Sequence, residues 1–230
     1  MSLCWYYKIK QKILIFIIMN KKSLIESIVK KISNNLLYEA VTDGAVNQIS
    51  RFIVNQFKKR EPGIEDFILE RAEEEITIQV SLTLEEVEDF NHPFSIDASS
   101  EWDEIDILIE YREDAFPRHM SELVAEVKET IEHEMVHILQ TFFEDESVVY
   151  DRHETNLEYL TSNQEVPAYV KGLVKRARHK KITLDDAMEE WFNENVLKFD
   201  NPKEDWEKVK TVWMNYANDM RQKNKIKKFN

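Results

Sequence analysis

Residues 133–137 read His-Glu-Met-Val-His, inside a stretch (128–142, KETIEHEMVHILQTF) that holds neither glycine nor proline. Apolar Val127, Ile131, Ile138 and Leu139 recur around the pentapeptide at helical spacing, which predicts a helix seated in a core. Side chains four residues apart leave the same face of a helix, so His133 and His137 can reach one metal ion. Glu134 follows the first of them, where a carboxylate can take a proton from metal-activated water. The bland alternative is a surface helix with two solvated histidines. No other stretch of the chain constrains the fold as tightly.

Composition enters by exclusion. Three glycines and the absence of GxGxxG or GxxxxGK[ST] argue against phosphate-cradling loops. The single Cys4 rules out an intramolecular disulfide and a cysteine-rich metal centre, leaving histidines and carboxylates as ligands. The net charge of −13 is unevenly spread. Residues 1–60 carry 11 Lys/Arg against 3 Asp/Glu, residues 61–170 carry 5 against 31, and residues 171–230 carry 15 against 10. The pentapeptide therefore sits in an acidic block, a field that attracts divalent cations and basic peptide segments and repels nucleic acid. A solvated acidic surface is the plainer account of the block. No nucleic-acid partner is expected.

Along the chain, Lys8, Lys10 and Lys12 precede a seven-residue apolar run, Ile13–Met19, too short to span a bilayer. Residues 1–20 read as an upstream extension or a peripheral segment, with no stable membrane insertion. Residues 21–62 predict a helical pair, the first capped by Ser23 and Glu26, the second opening near Thr42-Asp43-Gly44 with Val46, Ile49, Ile53 and Phe57 inward. Pro62-Gly63 ends the pair. Residues 63–230 then read as the main domain, one compact unit. EITIQVSLTL (75–84) and DEIDILIEYR (103–112) alternate as strands, 64–72 fits strand or helix, and 90–100 reads as loop with a short strand. After Pro117, Ser121 is a plausible N-cap for a helix over 122–143. A loop over 144–154 follows, then a helix carrying Glu165 and Tyr169. A helix capped by Thr183 and running through Trp191 comes next, and the last opens at Asn201-Pro202 with Trp206, Val209, Val212, Trp213 and Tyr216 inward. The class is α+β.

Two histidines do not complete a catalytic zinc site; a third protein ligand is needed, with one position left for water. The continuation HExxHxxGxxH is absent, because Gln140 stands where the glycine would be. Glu165, 28 residues beyond His137, lies far enough along for a second helix to return it. Glu158 and His153 compete at shorter spacing, and His119 sits about 20 Å along the helix axis from His133.

HExxH on one helix with a glutamate in an E-x-x-A motif on a later one resembles the gluzincin class of zinc metallopeptidases. His133, Glu134, His137 and Glu165-Val166-Pro167-Ala168 carry the resemblance, which covers about residues 103–172. The tract YLTSNQEVPAYV (159–170) is also similar to small metallopeptidases of tailed-phage genomes. The resemblance implies a zincin-like fold: a small mixed or antiparallel sheet on the HExxH helix, with additional N- and C-terminal helices. It implies Zn2+ held by His133, His137 and Glu165, Glu134 as general base, and a peptide or protein substrate. Tyr159 is a candidate transition-state stabiliser, with Tyr150 and Tyr169 as alternatives. Pro167 departs from a plain helical pattern but is tolerable in a first turn. In related zincins an extended peptide pairs with the edge strand before the active helix, and 103–112 has that chain position or is an ordinary core strand. The expected location is cytoplasmic, or virion-associated if phage-encoded. The competing expectation is a catalytically idle scaffold serving as a structural or binding subunit; a peptidase with a single protein target, as in a toxin or antirepressor system, shares the chemistry.

Overall fold

The computed structural model describes residues 43–71, 74–88, 91–143 and 154–227. The segment 1–20, the helix capped by Ser23 and Glu26, and most of the 144–154 loop, with Tyr150 and His153, lie outside the described residues.

The first described helix, α1, covers 43–59, and its stripe Val46, Ile49, Ile53 and Phe57 is fully buried. Four strands follow: β1 (Gly63–Arg71), β2 (Glu74–Glu86), β3 (Phe94–Glu101) and β4 (Glu104–Tyr111). Their order in the sheet is β1-β2-β4-β3. The β1/β2 and β3/β4 pairs are antiparallel, and β2 and β4 run parallel. One expectation changes here, and one pair of alternatives is decided. Residues 94–101 form a full strand, because β4 supplies an eight-residue ladder and Phe94, Ile96 and Ala98 pack inward although polar residues separate them. The strand before the HExxH helix is interior, with β3 as the edge on that side. Its alternation then places Ile105, Ile107, Ile109 and Tyr111 in the core.

Helix α2 (Met120–Phe143) is the centre of the molecule. It begins one residue before Ser121, which therefore sits in the first turn instead of capping it. Leu123, Val127, Ile131, Met135 and Ile138 face the sheet and share one core with α1. Beyond it come α3 (Asn156–Leu160), α4 (Glu165–Lys180), α5 (Leu184–Asn195) and α6 (Pro202–Lys227). Pro167 lies in the first turn of α4, where its missing N–H is not needed. Thr183 and Asp186 close a capping box that starts α5.

These helices enclose a second core rich in aromatics, with Trp191, Trp206 and Trp213 buried. Its α6 stripe runs Trp206, Val209, Trp213, Ala217, so Val212 rotates off it and is 36% exposed. Helices α2 and α4 run antiparallel and very close: a Cβ on Gly172 would lie 2.9 Å from the Glu129 carbonyl oxygen. The whole is α+β, a four-stranded mixed sheet packed on α2 with further C-terminal helices. Among the described residues no helix is long and apolar enough to cross a membrane.

Candidate metal centre

The face of α2 turned toward α4 is polar, although both helices are core elements. His133 and His137 are one turn apart on it, and the first residue of α4, Glu165, meets them. The two Nε2 atoms are 3.1 Å apart, and Glu165 Oε2 is 3.4 Å from each. Neither contact to the carboxylate has hydrogen-bond geometry, and the buried Oε2 has no hydrogen-bond partner. Three potential donors thus point at one another with little between them. Ligands about 2.0–2.1 Å from a tetrahedral zinc stand about 3.3 Å apart, so the triangle has the size of one face of such a site. Two imidazoles, one carboxylate and their spacing fit a metal ion.

The electrostatics agree. Burial alone would raise the Glu165 carboxyl, but the two imidazoles outweigh it and hold the group at about 2. Burial opposes charge on His137, yet Glu165, with smaller help from Glu134 and Gln140, raises its pKa overall. A lasting negative charge facing two imidazoles is what a cation would find.

Neighbouring side chains hold these groups. Gln140 Oε1 lies 3.1 Å from His137 Nδ1, and Gln140 Nε2 donates to the Gln164 carbonyl at 3.1 Å. The Tyr169 ring sits edge-on to His133 at 4.5 Å, stacks on Trp213 and touches Trp191. Tyr159 lies edge-on to Tyr169 and beside Glu165; burial, then Tyr169 and Glu165, push its hydroxyl pKa up, so it keeps its proton. Glu134 is 7% exposed, and Ser100 Oγ on β3 donates to its Oε2 at 2.7 Å.

The other candidates are elsewhere. Glu158 is exposed and accepts the Glu154 backbone N–H. His119 is paired with Glu122 at the opposite end of α2. Of the supporting residues, Gln140 had a legible signal: it is seven residues from His133 and three from His137, hence on their face. Ser100 had none, because its partner is 34 residues away and only the sheet brings them together. No protein-family model, curated protein or solved structure matches the chain.

Proposed function

We propose that the chain is a zinc-dependent peptidase of the gluzincin kind, acting on a peptide or protein. The observation that carries this reading is the convergence of His133, His137 and Glu165 into one triangle beside the buried Glu134. Three protein ligands with a position to spare are the donor set of a catalytic zinc, whereas structural sites close with four. His133 Nε2, His137 Nε2 and Glu165 Oε2 would hold the metal. Zinc bound there acidifies a water and polarises a carbonyl.

The protein's own groups supply the rest. Glu134 accepts the proton of the attacking water on a carboxylate oxygen and returns it to the departing amine nitrogen. Ser100 keeps that carboxylate from rotating away. Tyr159, with its proton retained beside Glu165, serves as donor to the developing oxyanion. An idle scaffold would have no use for a buried, hydrogen-bonded Glu134.

Metal content by mass spectrometry on chelator-free protein tests the site. About one zinc per chain is expected in the wild type, with most of it lost in His137→Ala and Glu165→Ala. Glu134→Gln should keep its zinc while peptide hydrolysis falls by roughly 10²–10⁴-fold. A wild type that takes up no metal even when zinc is supplied would sink the reading.

A further inference from the structure

Gln140 touches both halves of the site. Its amide nitrogen donates to a carbonyl, that of Gln164, which can only accept. This settles the amide's orientation, so the atom facing His137 Nδ1 is the oxygen, which can only accept as well. Nδ1 must then carry the proton. In the neutral ring the remaining nitrogen, Nε2, then presents its lone pair toward His133 and Glu165. One side chain, 7% exposed, reads out the tautomer a metal requires.

The second bond has its own consequence. Gln164 immediately precedes Glu165, so the Gln140 amide pins the start of α4 to α2, one turn beyond His137. We propose that Gln140 is a positioning residue that sets the His137 tautomer and, through Gln164, places Glu165, so that one side chain holds both ligand-bearing helices ready for metal. This rests on the metal-site reading above, and it adds a device that HExxH itself does not contain.

The test uses Gln140→Met, which preserves volume but removes acceptor and donor, and Gln140→Glu, which keeps the acceptor alone. Long-range 1H–15N spectra of the metal-free full chain, taken where imidazole is neutral, report the tautomer, with His137→Ala identifying the signal. Wild type should show a protonated Nδ1 and a bare Nε2 at His137; Gln140→Met should show a mixture, and Gln140→Glu the wild-type pattern. Zinc affinity by chelator competition should fall about 10–100-fold in Gln140→Met. An unchanged tautomer in Gln140→Met, or zinc affinity within about threefold of wild type, would overturn the assignment. If Gln140→Met fails to fold, loss of the Nδ1–H pattern in Gln140→Glu overturns it instead. A wild type that binds no zinc defeats the proposed function, while the metal-free spectra still decide the role of Gln140.

Discussion

At the scale of residues, the site depends on how closely two helix backbones approach. Gly172 permits this, since a methyl there would press on the Glu129 carbonyl at 2.9 Å, a backbone atom with little room to yield. In an exposed helix, Gly→Ala gains about 1 kcal/mol. Here overpacking of about 1–3 kcal/mol opposes and exceeds it. Gly172→Ala should therefore lower the urea midpoint and, by moving Glu165 off the histidines, weaken zinc binding. Gly44→Ala is the control, because nothing lies within 4 Å of the added methyl; it should leave the midpoint unchanged or raise it. A stabilised Gly172→Ala would show that the helices are not held this close in solution.

At the scale of elements, α2 and α4 are joined by charges as well as by the site. Arg176 of α4 is buried and meets Glu129 at 3.1 Å and Glu194 of α5 at 2.6 Å. Burial, with Glu129 beside it, lifts the Glu126 carboxyl to about 7; Arg176 and Lys180 oppose the shift, and Glu194 adds to it. Burial likewise lifts Glu129 to about 7, against the pull of Arg176. The sign follows from linkage. Both groups hold protons in the folded state that the unfolded chain has released above about pH 4.5, so the folded state binds more protons across that window. Stability from these groups is then greatest at the acid end and declines as pH rises from about 4.5 through about 7. Glu126→Gln should flatten that decline in urea midpoints measured from pH 5 to pH 8. An identical slope in the variant would remove Glu126 from the account.

At the scale of the whole molecule, α2 stands between two cores, the sheet with α1 on one side and the helices α3–α6 on the other. A metal joining α2 to α4 would clamp one to the other. Saturation at 100 times the dissociation constant adds about 2.7 kcal/mol, so zinc should raise the melting temperature seen by calorimetry, and His133→Ala should abolish the rise. The aromatic path from His133 through Tyr169 to Trp191 and Trp213, with ring separations of 4.5, 5.3 and 5.1 Å, supplies a second signal. Co2+ at the site should quench tryptophan emission in the wild type and leave His133→Ala bright. Quenching that survives the substitution would place the ion elsewhere.

What the sequence alone determined was local. The HExxH helix, the α1 stripe, the β4 alternation and the Thr183 cap are written at periods of 3.6 or 2, or in a single turn, so neighbouring residues suffice to read them. Glu165 was legible as a candidate third ligand only beside Glu158 and His153, since chain distance limits which residues can return without choosing among them. The tertiary structure decided what depends on partners far along the chain. It made β3 a strand and β4 interior, because a ladder needs both of its sides. It turned Val212 outward, because the α6 stripe follows the helices it packs against. It also brought Ser100 to Glu134 and Gln164 to Gln140, contacts set by the sheet order and the α2–α4 crossing, which no local pattern encodes.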